Sequence, residues 1–279
     1  MSSSAIQIAY TTHYQKKESG EFWKCWKAKF GNNNNFVSRQ VNGIADKNHI
    51  AAKFAKYFAE SCSPNCDMRN AQLKADYEAM RPKYVGLYSD DHEFDVEFVD
   101  KIITELKKNK AAGLDNLTGE HLQFSHPIVV SVVCKIFNMM SYGYVPASFG
   151  RSYTIPLPKG KAIFGKILMV DDFRGISISQ VLSKIFEHCI LDRFSSFLAT
   201  SDNQFGFKKG LSCSQAIYSI RSVIDEYVAG GSTVNLCALD LSKAFDRMNH
   251  FALFIKLMNR NTPVNLLAVI EKWCAISVT

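Results

Sequence analysis

The stretch VNLCALDLSKAFDRMNH, residues 234–250, is the most informative part of this 279-residue chain. Residues 234–241 are short, apolar and β-prone, which predicts a buried strand with Asp240 at its end. Burying an ionised carboxylate is costly unless the charge is paired or bound to a metal. A strand that ends at an open cleft, with a hard cation against the carboxylate, would remove this cost. The alternatives are that Asp240 caps the following turn or pairs with a lysine such as Lys243.

On either side of this stretch, apolar residues recur at helical spacing. Helices are predicted after Asp46 and Asp95, around residues 129–140, 182–194, 217–227 and 251–257, and after Thr262 with Pro263 as the first helical residue. Residues 152–157 predict a strand at a sheet edge because two prolines, Pro156 and Pro158, interrupt its hydrogen bonding. The pattern is typical of an α+β protein that is rich in helices.

The composition excludes several classes of protein. With 47% apolar and 21% charged residues, the chain is predicted to be globular. No apolar run reaches the roughly 18 residues that a membrane span needs. The start, MSSSAIQIAY, lacks the features of a secretory signal. We therefore expect an intracellular protein without a membrane partner.

The net charge and the cysteines give weaker indications. A net charge of +7 suits a polyanionic partner, although it also fits simple solubility. Cys134, Cys189 and Cys237 lie in apolar runs, so we expect buried free thiols in a reducing compartment and no disulfide partner. Cys62 and Cys66 are close in sequence, but no second pair completes a zinc set.

The block LDLSKAFD resembles the first catalytic motif of reverse transcriptases, most closely those of non-LTR (LINE-type) retrotransposons. Three further blocks resemble this family in the family's order: KNKAAGLDNLTGEHL, then IPLPKGK with DDFRGISISQVLSKIFEHCILDRF, then QFGFKKGLSCSQAI. Ala112 and Gly175 stand where many relatives have proline. The resemblance covers about residues 15 to 279.

The resemblance implies a right-hand polymerase fold with fingers and an incomplete palm, helix-rich with a few antiparallel strands. Residues 1–90 would form a helical connector, since WKCWKAKFG and VNG…IAAKFAKYF look like the segment that precedes the polymerase domain. Residues 91–279 would form the reverse transcriptase domain, truncated before the second catalytic box.

The chemistry that the resemblance implies is template-directed addition of deoxynucleotides to a DNA 3′-end. Two Mg²⁺ ions about 3.5–4 Å apart would activate the primer hydroxyl and stabilise the leaving pyrophosphate. Asp240 would be the first bridging carboxylate, and the backbone carbonyl of Leu241 would also face a metal. For Asp246, we expect that it caps the helix that follows.

The resemblance also implies a nucleotide site. Phe245 would lie beneath the incoming sugar, although core packing would also explain this aromatic residue. Lys159 and Arg174 match positions that hold the triphosphate, and guanidinium and ammonium groups both bind phosphate. A loop near the template base and nucleotide pocket would contain Gln204, Phe205, Gly206 and Phe207.

Three lysines near the first block are candidates for binding the template backbone. Lys107, Lys108 and Lys110 follow an apolar helix, where positive charge also suits the negative end of the helix dipole. Gly113 is expected to take a left-handed capping conformation there. Both explanations of the lysines remain open.

One expected motif does not follow Asp240. Reverse transcriptases of this kind carry an aromatic-x-Asp-Asp box, whereas the Asp-Asp pairs of this sequence, at 90–91 and 171–172, both precede Asp240. We therefore expect that this chain alone does not polymerise. The expected partners are an RNA template, a DNA primer and dNTPs, in the nucleus or the cytoplasm. The alternatives are another right-hand polymerase, such as an intron maturase or a viral enzyme, and a non-catalytic RNA- or DNA-binding remnant.

Overall fold

Helices make up most of the part of the chain that the structure describes. A computed structural model describes residues 40–62, 67–87, 93–159, 167–241, 243–244 and 246–277. The helices of this part are α1 (Lys47–Ser61), α2 (Asp67–Met80), α3 (Val96–Thr104), α4 (Gly119–Gln123), α5 (Ile128–Met140), α6 (Val181–Arg193), α7 (Ser195–Leu198), α8 (Cys213–Ala229), α9 (His250–Asn259) and α10 (Val264–Ile276). Short 3-10 turns occur at Arg81–Lys83, Ala147–Gly150 and Val170–Asp172.

Two strands, β1 (Ser152–Pro158) and β2 (Phe173–Ser179), pair in a small antiparallel sheet. Within the described residues each strand pairs with only one neighbour, so the prolines of β1 are tolerated as predicted. The prediction of a helix-rich α+β fold is confirmed.

The chain divides into two compact units. The first consists of Met1–Phe54 and Pro158–Arg174, and the second consists of Ala55–Leu157 and Gly175–Thr279. The functional boundary that the sequence predicts near residue 90 stays a prediction.

The helices begin where the sequence places their N-caps. The Asp46 carboxylate accepts the backbone N–H of His49 at 2.9 Å, and the Asp95 carboxylate accepts that of Phe98 at 2.6 Å. Each bond satisfies an N–H group that has no partner within its helix. The start of α10 differs slightly from the prediction, because Pro263 is the N-cap and Val264 the first helical residue.

The core of the second unit is built around one aromatic ring. Phe186 of α6 is buried, and its ring centre lies 5.1 Å from that of Phe137 on α5 and 5.6 Å from that of Trp273 on α10. The rings of Phe94 and Phe149 also lie against it, at 6.2 and 6.3 Å. Aromatic pairs at these separations add to the stabilisation that burial provides. This cluster joins α5, α6 and α10.

Two of the three cysteines predicted to be buried are so. Cys134 and Cys189 lie in the core, and burial raises the pKa of Cys189 to about 12. At neutral pH both remain protonated thiols, which are poor nucleophiles. The prediction for Cys237 is wrong, because its side chain is exposed.

The exposure of Cys237 reflects a larger difference from the sequence prediction. Residues 234–241 have no regular secondary structure, and within the described part of the chain they pair with no strand. Their side chains are not buried, and Leu239 is 90% exposed. The prediction of burial rested on the apolar side chains alone. Burial also requires another part of the protein to pack against them. The buried strand predicted here is therefore wrong.

The first sequence block is held against the second by a close backbone approach. A Cβ atom on Gly113 would lie 2.8 Å from the Cα atom of Gln180, which follows β2.

Gly113 does not have the left-handed conformation that the sequence predicted; Asn109 does, with φ of 60°. Helix α3 ends at Thr104, so the lysines from position 107 onward follow the helix instead of forming its last turn. Glycine is required at position 113 because a side chain would collide with the backbone of Gln180, and not because of its φ angle.

Candidate functional site

Asp240, the predicted catalytic and metal-binding residue, lies in an exposed segment without regular secondary structure. Its side chain and that of Leu241 both face solvent. The sequence predicted a carboxylate that points into a groove, whereas the structure shows an exposed carboxylate at this position. Asp240 lies in the second unit, and Phe245 is outside the described residues.

The lysine three residues after Asp240 has partners on helix α1. The Nζ atom of Lys243 donates a hydrogen bond to Ser61 Oγ at 2.7 Å and lies 4.1 Å from the centre of the Tyr57 ring. A cation at this distance from an aromatic face is attracted to the ring. Among the described side chains, Lys243 therefore pairs with α1 and not with Asp240.

The Ser61 hydroxyl is positioned to accept a hydrogen bond from the Lys243 ammonium group. Ser61 is buried, and its hydroxyl donates to the backbone carbonyl of Tyr57 at 2.7 Å. The hydroxyl oxygen keeps acceptor capacity, and the Lys243 ammonium group supplies the donor. Lys243 itself has a φ of 53°, in the left-handed region, where a non-glycine residue is uncommon. The turn after Asp240 is thus attached to the end of α1.

Asp246 lies near the same helix end. Burial raises the pKa of the Cys62 thiol, the negative charge of Asp246 raises it further, and the positive charge of Lys243 lowers it. Asp246 is not the cap of α9, because the Asn249 side chain accepts the N–H of Ala252 at 2.9 Å. The capping role that the sequence predicted for Asp246 is wrong.

Two of the predicted triphosphate ligands lie close together in the first unit. The backbone N–H of Lys159 donates to the carbonyl of Asp172 at 2.7 Å, and Arg174 follows two residues later on β2. The Lys159 ammonium group donates to the Asp171 carbonyl at 2.8 Å, and both Lys159 and Arg174 are exposed. The backbones of Lys159 and Asp172 are therefore paired, and the binding of phosphate by Lys159 and Arg174 stays a prediction.

The glycine after Arg174 has a packing role. A Cβ atom on Gly175 would lie 2.9 Å from ring atoms of Phe58 and 2.9 Å from the Thr154 methyl group. Phe58 therefore packs on the sheet at a place where a side chain would interfere. This contact accounts for the absence of a side chain at position 175.

The predicted template loop is exposed and contains a residue with unusual backbone geometry. The Gln204 amide donates to the carbonyl of Gly206 at 3.0 Å, and nothing lies within 4 Å of a Cβ atom built on Gly206. Phe207 has a φ of 59°, which is rare for a bulky residue. Among the described residues, no hydrogen bond or ion pair joins Gln204 to Asp240.

The three candidate lysines after α3 are exposed, as a template contact requires. Lys107, Lys108 and Lys110 lie in the loop between α3 and α4, and Lys108 Nζ is 5.3 Å from the centre of the Phe124 ring. These lysines follow the helix and do not form its last turn. An interaction with the negative end of the helix dipole therefore explains them less well.

The described residues do not by themselves fit a two-metal centre. Within the part of the chain that the structure describes, no three His, Cys, Asp or Glu side chains form a group that could hold a metal ion. Asp240 offers one exposed carboxylate, whereas two bridged divalent ions require several oxygen ligands. Further carboxylates are needed before metal-dependent chemistry can occur at Asp240.

The sequence alone missed the partners of Lys243. Ser61 lies 182 residues before Lys243, and neither belongs to a recognisable pair of motifs. The predicted start of α1 at Asp46 indicated that Tyr57 would be helical, but no local signal connected it with the block around Asp240.

Comparisons with known proteins show what these blocks are similar to. Residues 157–278 match the family described as reverse transcriptase (RNA-dependent DNA polymerase). Over 178 residues, 60% of this chain, the sequence is 27% identical to "RNA-directed DNA polymerase from mobile element jockey" of Drosophila funebris, covering 19% of that protein. Over 168 residues, 58% of this chain, it is 24% identical to "Probable RNA-directed DNA polymerase from transposon BS" of Drosophila melanogaster, covering 18% of that protein.

These relatives are much longer than the region of similarity. The Drosophila melanogaster jockey polymerase is 27% identical over 184 residues, 64% of this chain and 20% of that protein. The chain thus spans about a fifth of the length of the curated relatives it matches. The resemblance that its motifs predicted is confirmed, because residues 157–278 match the reverse transcriptase family and the similar proteins are RNA-directed DNA polymerases of mobile elements.

Proposed function

We propose that this chain contributes the connector, the fingers and the first palm segment to an RNA-directed DNA polymerase of a mobile element. The reaction is the addition of dNTPs to a DNA primer on an RNA template. The observation that carries the proposal is the family match over residues 157–278, which includes the phosphate-site candidates and Asp240. The close packing of Gly113 on Gln180 supports it, because two blocks of the motif series contact each other.

The residues divide between three tasks in this proposal. Lys159 and Arg174 hold the triphosphate, and the exposure of both side chains supports this role. Gln204, Gly206, Phe207 and Phe245 form the nucleotide and template-base site. Lys107, Lys108 and Lys110 contact the template backbone.

Asp240 and the carbonyl of Leu241 are proposed as the first ligands of the divalent metals, with Mg²⁺ as the ion. Since Asp240 alone does not fit a two-metal site, we propose that this chain by itself does not polymerise. Lys243 has a positioning role, because its contacts with Tyr57 and Ser61 attach the turn after Asp240 to helix α1.

We also propose where in the cell the protein acts. A polymerase that copies RNA onto a DNA primer works where both are present, which favours the nucleus or the cytoplasm. No helix in the described ranges has the length and apolar character that crossing a membrane requires.

Primer extension on an RNA template with Mg²⁺ tests the function. The chain would be compared with a version that continues into the downstream reading frame of its own gene, each as wild type and as Asp240→Asn. Asp192→Asn, at an exposed position of α6, is the matched control. We expect extension only by the longer protein, lost in Asp240→Asn and kept in Asp192→Asn.

Two results would contradict the proposal. Incorporation by the short chain that disappears with Asp240→Asn would refute its inactivity. Absence of incorporation by the longer protein would favour a non-catalytic nucleic-acid-binding protein, whose affinity for RNA would depend strongly on salt.

A further inference from the structure

An aromatic side chain is exposed beside the three lysines that follow α3. Phe124, at the end of α4, is 76% exposed, and the Lys108 ammonium group lies 5.3 Å from its ring centre. Lys107 and Lys110 are exposed in the same loop. We call Phe124 and these three lysines the α3–α4 platform.

The position of the aromatic ring is determined by the residues next to it. The Gln123 amide nitrogen donates to the carbonyls of Ile103, Thr104 and Leu106 at 3.0, 3.2 and 3.0 Å. The carbonyls of Ile103 and Thr104 belong to the C-terminal end of α3, which needs such partners, and Leu106 follows the helix. Leu122 is buried in the core on the other side. Phe124 is therefore held at the surface by the structure below it.

The lysine loop is also held in place. Asn109 has a φ of 60°, and its N–H donates to the Glu120 carboxylate, a bond that is the main cause of the lowered pKa of Glu120. The Asp115 carboxylate accepts the N–H of Leu117 at 3.1 Å. Two carboxylates of this region thus bind backbone amides, and Glu105 is the remaining carboxylate between positions 105 and 124.

We infer that the α3–α4 platform binds an unpaired stretch of nucleic acid, with one base stacked on Phe124 and the adjacent phosphates near Lys107, Lys108 and Lys110. Lysines that follow a backbone and an aromatic ring that stacks on a base are the combination that single strands require. A duplex hides the base faces, so the ring selects unpaired nucleotides. Lysine is depleted at protein interfaces, which disfavours a protein partner.

This inference rests on the proposed function, which makes nucleic acid the expected ligand. It adds Phe124 as the residue that contacts a base. It does not depend on Asp240 or on any metal. Binding and polymerisation can therefore be measured separately.

Fluorescence anisotropy with a labelled, unstructured RNA oligonucleotide tests the platform. Phe124→Ala should weaken binding by about tenfold, the effect of losing one stacked base. Tyr142→Ala, at another exposed aromatic residue, is the matched control and should bind as the wild type does. Phe124→Trp should keep the affinity, and its additional tryptophan fluorescence should be quenched on binding because the ring stacks on a base.

The lysines are tested by salt dependence. Replacing Lys107, Lys108 and Lys110 by alanine should reduce the slope of log affinity against log salt by about 2, since each phosphate contact on a single strand contributes about 0.7. For a duplex RNA of the same length, Phe124→Ala should have little effect.

Each remaining outcome decides the inference. Equal affinities of wild type and Phe124→Ala, or an unquenched Phe124→Trp signal, would overturn stacking, even if the longer protein extends primers. An equal loss with duplex RNA would overturn the selectivity for unpaired nucleotides. Wild-type protein that binds no RNA would overturn the whole platform. Failed primer extension with intact stacking would refute only the proposed polymerase.

Discussion

The Lys243 ammonium group donates a 2.7 Å hydrogen bond to the hydroxyl of Ser61, across 182 residues of sequence. One residue belongs to the block around Asp240, and the other ends helix α1, which precedes the family match. The segment before the polymerase match is therefore part of the structure that holds this block.

Lys243→Met should lower the free energy of unfolding by about 1–2 kcal/mol, through the loss of the charged hydrogen bond and the contact with the Tyr57 ring. The loss stays moderate because the Ser61 hydroxyl keeps its bond to the Tyr57 carbonyl. Urea denaturation measures it, with Lys184→Met, an exposed lysine of α6, as the control. If Lys243→Met and Ser61→Ala show additive effects in a double-mutant cycle, the coupling does not exist.

A second contact joins α2 to α10. The Arg81 guanidinium binds the Glu271 carboxylate through two hydrogen bonds of 2.7 and 3.1 Å, and the Tyr77 hydroxyl donates to the same carboxylate at 2.7 Å. Paired hydrogen bonds between a guanidinium and a carboxylate are among the stronger polar contacts in proteins.

Glu271→Gln should lower the free energy of unfolding by about 2 kcal/mol, because the bonds to Arg81 lose their charge. Thermal denaturation would show a lower Tm. Glu78→Gln, which affects an exposed ion pair with Lys74, is the control and should change stability by less than about 0.5 kcal/mol. Equal effects of the two substitutions would contradict a special role for Glu271.

The same contact predicts a pH dependence. Burial, the hydrogen bond to Glu271 and the charge of Glu271 raise the pKa of Tyr77 from 10.0 to about 12. Because the pKa is higher in the folded state, the stabilisation from this group is fully present below pH 10. It is lost as the pH rises from 10 to about 12.

Phenolate absorbance measures the titration of Tyr77. The difference between wild type and Tyr77→Phe should show a midpoint near pH 12 for the folded protein, and near pH 10 for the protein unfolded in urea. A folded-state midpoint near 10 would show that Glu271 and burial have no such effect.

Gly113→Ala should destabilise the fold by about 1–3 kcal/mol, because its Cβ atom would meet backbone atoms of Ser179 and Gln180 at 2.8–3.0 Å. Gly206→Ala is the matched control, since nothing lies within 4 Å of its Cβ position. Urea denaturation of both variants tests the close approach. An unchanged free energy of unfolding in Gly113→Ala would refute it.

The apolar surface of α8 and of residues 234–241 predicts association. No residue of α8 is buried, and the side chains of Leu236, Leu239 and Leu241 are exposed. Exposed apolar patches and unpaired extended segments promote self-association. Sedimentation should show association that increases with concentration and decreases in the double variant Leu236→Lys/Leu239→Lys. Ile128→Lys, an exposed apolar position on α5, is the control, and an equal effect there would indicate net charge as the cause.

The candidate site was only partly predictable from the sequence. The motif blocks named Asp240, Lys159 and Arg174, and the structure places the last two near each other on the first unit. The roles of these residues stay predictions. Ser61 and Glu271 could not be found in this way, because their partners lie 182 and 190 residues away and no local pattern encodes such a distance.

The amino-acid sequence by itself determined the resemblance to reverse transcriptases and the starts of helices α1 and α3, because motifs and N-caps depend on residues a few positions apart. It also determined the burial of Cys134 and Cys189, which lie on the apolar faces of α5 and α6. Only the tertiary structure decided that residues 234–241 are exposed and that Lys243 pairs with α1. Burial and pairing depend on which surface lies opposite a side chain, and that surface comes from distant parts of the chain.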